Sequence, residues 1–233
     1  MRVAIHQPNY MPWLIYFRKL INSDIFVFFD NVQIPIGGKT FTSRTKVKVS
    51  NGETWLTVPV KKENTSKLIK DVRISDNDWV KKHINTIKFN YARSRWLYLF
   101  IENIIPIIEE SNIYLADLNI KLIKKILDIL SVNNTKLLRS SELNLINNNH
   151  LCIEEILINF KADFYLTGTG VGTLRHLDKN FFLNNNIKIK FVSQRYEKYY
   201  QMHGSFVNNL SIIDVILNCG PKKTLDLINN ELT

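Results

Sequence analysis

The chain has 233 residues, 45% hydrophobic and 22% charged, enough to bury a core without staples. Its two cysteines, Cys152 and Cys219, form neither a disulfide framework nor a CxxC or Cys/His metal spacing, so a reducing cytoplasm is the expected compartment. A formal net charge of +10 suits polyanions, acidic membranes, nucleotides or acidic proteins; with the basic residues spread along the chain and no finger, homeodomain or recognition-helix pattern, nucleic acid is not an expected partner.

The chain starts directly on an apolar strand, Val3–Ile5, with no basic segment and cleavage site before it, so no signal peptide is expected. No apolar stretch approaches the roughly 20 residues of a membrane span, which leaves peripheral membrane contact open. The polar turn His6-Gln7-Pro8-Asn9-Tyr10 follows. Trp13, Tyr16, Phe17 and Leu20 then recur at helical spacing, with Pro12 suited to the first turn. A second apolar run, Ile25–Phe29, ends on Asp30 and has the length and composition of a buried parallel strand. Strand, helix and strand make a βαβ unit.

Thr40–Val49 and Glu53–Val60 flank Asn51-Gly52, a hairpin turn signal. Gly37-Gly38 and Asn64–Lys67 read as loops and Val72–Ile74 as a short strand. A helix is predicted after an Asp76 cap, with Trp79, His83, Ile87 and Tyr91 on one face. Amphipathic helices are predicted over Trp96–Glu110 and Leu115–Leu130. Lys136–Leu138 is a strand, Ser140-Ser141-Glu142 a loop, Cys152–Phe160 a helix and Asp163–Leu166 a strand. That strand runs into Thr167-Gly168-Thr169-Gly170-Val171-Gly172. A helix end at Phe181–Asn185, a strand at Ile187–Val192, a helix at Ser211–Leu217 and a terminal helix at Leu225–Leu232 complete the chain, with a Gly-then-Pro stop at Cys219-Gly220-Pro221. The expected fold is α/β, a Rossmann-like layered sheet in one domain, with an inserted hairpin and a helical subregion near residues 76–130.

In open α/β sheets ligands bind beyond the carboxyl ends of the strands. His6 lies at such an end and can exchange a proton near neutral pH; Gln7, Asn9, Tyr10 and Trp13 surround it in sequence. The alternative is a turn whose polar side chains satisfy backbone groups. Asp30, with Gln33 nearby, ends the second strand and would orient His6 if the two were close; otherwise it is a cap. Thr167, Gly168, Thr169 and Gly170 form a glycine-rich turn that either cradles a phosphate, with help from Arg175 and His176, or is simply tight. It matches neither GxGxxG nor the Walker A pattern. Lys39, Arg44, Lys46 and Lys48 on the hairpin either grip a diphosphate or acidic carrier, Arg44 foremost, or are solvated. His83 is a catalytic candidate or a satisfied core histidine. Tyr199, Tyr200 and Gln201, with Asp214 and Asn218 four apart on one helix face, either stack on a base or sugar or pack the core. His150, His176 and His203 complete no HxxxH or HExxH, so no catalytic metal is expected.

VAIHQPNYMPWLIYFRKL, DIFVFFDNVQ, WLTVPVK, DWVKKHINTIKFNY, DFYLTGTG and YYQ…LSIIDVILNCG together resemble the WbqC-like family along nearly the whole chain. KTFTSRTKVK, after Gln33, departs from a more amide-rich family pattern. Members are associated with bacterial cell-surface polysaccharide and O-antigen gene sets. The resemblance implies a substrate class, nucleotide-linked or lipid-linked sugars, rather than a reaction; because some such pathways attach an amino acid or acyl group to an amino sugar, an amide-forming transferase is the expectation. No tightly bound cofactor is implied; a coenzyme A or acyl-carrier-protein thioester would be the donor. In that scheme His6 is the base, Asp30 orients it, and Gln7, Asn9 and the Gly168–Gly170 backbone support developing charge. A non-catalytic sugar-nucleotide or carrier-binding accessory protein and a glycosyltransferase-like enzyme are the rivals; against the last, the one DxD spacing, Asp76-Asn77-Asp78, reads as a cap. The layout of the opening stretch also resembles nucleotidyltransferase-like ligases such as pantothenate synthetase. Their HxGH turn is absent, so that resemblance bears on the sheet alone.

Overall fold

A computed structural model describes residues 1–34, 40–61, 63, 67–110, 112–147, 151–169, 178–195 and 197–230. Five strands form one parallel sheet: β1 (Arg2–His6), β2 (Ile25–Phe28), β5 (Lys136–Arg139), β6 (Phe164–Thr167) and β7 (Lys188–Phe191), in the order β5-β2-β1-β6-β7. Successive side chains of a strand point to opposite faces, and here both faces are covered. Val3, Ile5, Ile25, Val27 and Tyr165 pack against Ile156 and Leu157 of α6 (Leu151–Asn159) and Phe182 of α7 (Lys179–Asn184). Ala4, Phe26, Phe28 and Leu166 face the larger core, shared with α1 (Leu14–Ile21), α5 (Leu115–Ile129) and α8 (Ile212–Asn229). Double coverage is why β1 and β2 read as apolar runs rather than alternating strands. The fold is α/β, as expected.

β3 (Arg44–Val49) and β4 (Gly52–Thr57) pair antiparallel as the inserted hairpin, turning at Asn51-Gly52. Gly52 has φ +116°, the left-handed side of backbone space that its residue type permits. β4 stops at Thr57, short of Val60. Residues 72–74 make isolated bridges, Ile74 to Val60 and Arg73 to Tyr114, after a 3₁₀ turn at Ile69–Asp71, rather than a strand of their own. α2 (Asp78–Asn90) begins where the Asp76 carboxylate accepts from the Asp78 amide at 3.1 Å. The helix expected over Trp96–Glu110 is segmented: α3 (Leu97–Leu99), a π turn (Phe100–Ile104) and α4 (Ile105–Glu109). Pro106 supplies no N–H to the ladder, and the register loosens just ahead of it. α8 carries the expected break: Gly220, at φ +82°, kinks it before Pro221.

Arg18 of α1 is buried and donates to the Leu227 and Ile228 carbonyls at the end of α8 (3.0 and 2.9 Å) and to Ser193 and Arg195 beyond β7 (2.9 and 3.1 Å). A cation at a helix C-terminus satisfies carbonyls left without intrahelical donors. It also fixes α1 over the carboxyl edge of the sheet.

Candidate active site

The chain builds the sheet outward from β1 in one direction (β2, then β5) and returns to add β6 and β7 on the other side. The strands that follow β1 and β6 are therefore added on opposite sides of the sheet, and the carboxyl ends of this neighbouring pair mark the switch point at which doubly wound sheets bind ligands. A cavity of about 160 Å³ lies there, lined by His6, Trp13, Ile15, Tyr16, Lys19, Gly168, Thr169, Val192 and Gln194. That is below the range usual for small-ligand sites, about 300–1,000 Å³.

His6 ends β1, its ring edge-on to Tyr16 at 4.8 Å and Trp13 at 6.2 Å. Its Nδ1–H donates to the Gln7 carbonyl at 3.1 Å, so the neutral ring keeps its lone pair on Nε2. Burial, reinforced by the nearby Lys19 charge, pushes the imidazole down to about 3 despite the Gln7 bond. Lys19 was not singled out in the sequence. Its side chain is buried, its Nζ donates to the Ile5 carbonyl at 3.0 Å, and burial pushes the amine down to about 7. The signal was its position: α1 buries every residue from Leu14 to Leu20, so a lysine there has no solvated face. Two basic groups, both driven towards their neutral forms, thus share one small cavity.

The rest of the opening turn is bonded within the protein. The Thr42 hydroxyl donates towards the Gln7 and Asn9 side-chain oxygens (3.4 and 3.3 Å), and Asn119 of α5 donates to both the Pro8 and Thr42 carbonyls at 2.8 Å. Tyr10 is buried, bonded at 3.0 Å to His83, itself packed on Trp79. His83 belongs to this core cluster and does not line the cavity. Burial pushes it down to about 4, against a backbone bond to Thr57.

Asp30 does not reach His6. Its carboxylate accepts from Arg139 Nε (2.8 Å), Ser140 Oγ (3.1 Å), Ser141 N (2.9 Å) and Ser141 Oγ (2.8 Å). The expectation that it orients the imidazole is corrected by sheet order. β2 lies between β1 and β5, and Asp30 is committed to the β5 side. Gln33 is exposed and bridges to Leu68.

Among the described hairpin cations, Arg44 and Lys46 lie over one Trp55 ring at 4.0 and 5.1 Å, Lys46 also pairs with Glu53, and Lys48 is buried apart from them. Lys48 donates to Gln201 Oε1 at 3.5 Å and to the Ser205 carbonyl. Gln201 is bonded to both backbone groups of Val207. Asp214 is fully buried, accepting from Tyr91 at 2.5 Å and Tyr199 at 2.7 Å, its carboxyl raised chiefly by burial. Gln201 and Asp214, expected to touch substrate, instead tie β3, the end of α2 and the 199–207 segment to α8. Tyr200 is exposed, and Asn218 lines a different cavity. Thr167 is buried; Gly168 and Thr169 line the switch-point cavity; Lys39, Gly170, Arg175 and His176 lie outside the described residues, as do Gly37-Gly38, His150 and most of Asn64–Lys67.

Among the described residues no group of three or more His, Cys, Asp or Glu is placed to hold a metal ion, and no helix is long and apolar enough to cross a membrane.

Counted along the chain, the sheet order is 3-2-1-4-5, which defines a Rossmann-like α/β protein with a cavity between its first and fourth strands, the candidate site. The model of the WbqC-like protein family matches residues 7–225, and the chain belongs to that family. It is 29% identical over 222 residues, 94% of each chain, to Rv1507c of Mycobacterium tuberculosis (strain ATCC 25618 / H37Rv), a protein described as uncharacterized. No solved structure matches it.

Proposed function

We propose that the protein is a transferase of bacterial cell-surface polysaccharide biosynthesis, forming an amide between an acyl or aminoacyl group and a nucleotide-linked amino sugar at the β1/β6 switch point. The observation that carries this is the pairing of His6 and Lys19 in a cavity of about 160 Å³. Family membership supports the polysaccharide setting. Amide formation needs a base for the acceptor amine, and the best base has a pKa near working pH. At about 7, Lys19 meets that condition; at about 3, His6 does not. The base role expected for His6 therefore passes to Lys19, and His6 acts through the Nε2 lone pair as a hydrogen-bond acceptor for the incoming N–H.

In the reaction, the sugar nitrogen attacks the carbonyl carbon of a coenzyme A or carrier-protein thioester. A C–N bond forms, the C–S bond breaks, and the proton leaving the nitrogen passes to Lys19 and from it to the departing thiolate. Gln194 and the Gly168–Thr169 backbone, on the opposite wall, are the groups available to the carbonyl oxygen. A positioned base contributes about 10²–10⁴-fold.

The test incubates the purified protein with a panel of nucleotide-linked amino sugars and coenzyme A, carrier-protein or aminoacyl donors. Mass spectrometry reads the sugar's mass gain, and thiol release is followed in parallel. Turnover with at least one pair, lowered about 10²–10⁴-fold in Lys19→Met, is expected. Sugar binding without thiol release from any donor would instead make this an accessory binding protein, and unchanged turnover in Lys19→Met would remove the base assignment.

A further inference from the structure

A second cavity of about 680 Å³, larger than that at the switch point, lies away from it and shares no lining residue with it. It is walled by the end of α2 and the turn after it (Phe89 to Trp96), by Tyr200, Met202 and His203, and by Leu217 and Asn218 of α8. Its volume falls within the range of small-ligand sites, about 300–1,000 Å³.

Its charge has one sign. Arg93 and Arg95 line it and no acidic side chain does; among the described residues neither arginine has a carboxylate partner. Its rim is aromatic. Phe89 is 81% exposed and Tyr200 71% exposed, the two most exposed aromatic side chains among the described residues. Ring faces left in water beside unpaired guanidinium groups are surfaces that a flat, anionic ligand would cover.

The frame beneath is held in place. Ser94 donates to the Leu217 carbonyl and accepts from the Trp96 amide at 3.0 Å, pinning the turn that carries both arginines onto α8. Arg95 lies 4.8 Å from the Trp96 ring, and that indole rests against Gly220, where a Cβ would come within 2.4 Å of it. Asn218 accepts from the Met202 amide at 3.0 Å, and His203 donates through Nε2 to the Asn90 carbonyl at 2.7 Å, so the Tyr200 wall is tied to both helices.

We propose that this cavity is a binding site for a nucleoside diphosphate: the base stacks on Tyr200 and Phe89, and the phosphates meet Arg93 and Arg95. Guanidinium groups match phosphate oxygens in charge and fork geometry, and aromatic faces accept any base. The inference goes beyond the amide-forming reading and does not depend on it, since it concerns a separate cavity with no lining residue in common.

Isothermal titration of the full chain with ADP, UDP and CDP, against inorganic diphosphate and the free nucleosides, tests it. The expected result is that at least one nucleoside diphosphate binds more tightly than inorganic diphosphate and than its own nucleoside. Arg93→Ala and Arg95→Ala would each weaken it about tenfold and Tyr200→Ala several-fold, while Lys19→Met leaves it unchanged. All three positions are exposed, and melting curves confirm that the variants fold. No binding of any nucleoside diphosphate, or equal binding by the Arg93→Ala/Arg95→Ala double variant, overturns the proposal. So does a face that takes inorganic diphosphate or phosphatidylglycerol vesicles as well as it takes nucleotides, since that is a general anion surface.

Discussion

The Nζ of Lys19 donates to the carbonyl of Ile5 at 3.0 Å, and no carboxylate pairs with it among the described residues. A buried amine so placed is lowered to about 7, well below the unfolded value of ~10.4. Between those values the unfolded chain binds the extra proton, so stability rises with pH across that window and is lost as pH falls towards 7. Lys19→Met removes this contribution at the cost of one hydrogen bond, about 1 kcal/mol. Leaving a buried cation unpaired costs several kcal/mol, so removal wins. The variant should melt a few degrees above the parent at pH 7, the gap narrowing by pH 10, while losing turnover. Thermal unfolding at the two pH values checks it; a variant that melts lower at pH 7 contradicts it.

Two histidines, His6 half-buried and His83 buried, give the acid limb of stability. His6 is lowered to about 3 and His83 to about 4, both mainly by burial. Below the unfolded value of ~6.5 the unfolded chain takes protons that the folded one refuses, so stability falls as pH drops from 6.5 towards 4. His83→Gln, which keeps a polar group beside Tyr10, should flatten that decline while lowering stability at pH 8. Urea midpoints measured from pH 4 to 8 read the slope. An unchanged slope would mean that His83 titrates normally.

What the sequence revealed and what it hid follow from one distinction. β1, β2 and the hairpin are set by local pattern, apolar runs and an Asn-Gly turn, and their positions were legible. Which neighbour a side chain meets is set by sheet order, which is not local. Asp30 follows a strand next to His6's strand, yet its carboxylate goes to Arg139 on the other side. Lys19 reads as a solvated helix residue until α1 is seen with covers on every side. That Gly168 and Thr169 sit at the carboxyl end of β6 was legible because that position is local. Asp214 and Asn218 were placed correctly on one helix, but the tyrosines that bury Asp214 arrive from residues 91 and 199.

Asp30→Asn separates fold from site. Asp30 accepts from Arg139, Ser140 and Ser141 in a fully buried position. Removing one partner of a buried charge pair costs about 3–5 kcal/mol. Arg139 is part-exposed and keeps Asp117 at 2.7 Å, which places the expected loss at the lower end. Because the carboxylate does not touch His6, the imidazole resonances of His6 should stay where they are in the variant. Denaturant titration gives the first quantity and proton–nitrogen spectra the second. A moved His6 signal would restore the orienting role.

Gly220→Ala and Gly52→Ala form a matched pair. Both glycines have positive φ, +82° and +116°, so an alanine at either carries backbone strain of about 1–3 kcal/mol. They differ in surroundings. A Cβ at Gly52 meets nothing within 4 Å, whereas at Gly220 it lands 2.4 Å from the Trp96 ring, a rigid indole half-sunk against the kink of α8. Overlap that close forces Trp96 to leave its seat, and overpacking of this kind typically adds about 1–3 kcal/mol. Gly220→Ala should therefore cost more than Gly52→Ala by that increment. It should also displace Trp96 and Arg95 from the larger cavity and weaken nucleoside diphosphate binding, which Gly52→Ala leaves intact. Denaturant midpoints and titrations on both variants give the comparison. Equal destabilisation, with binding retained in Gly220→Ala, would show that the helix yields at the kink instead of the indole.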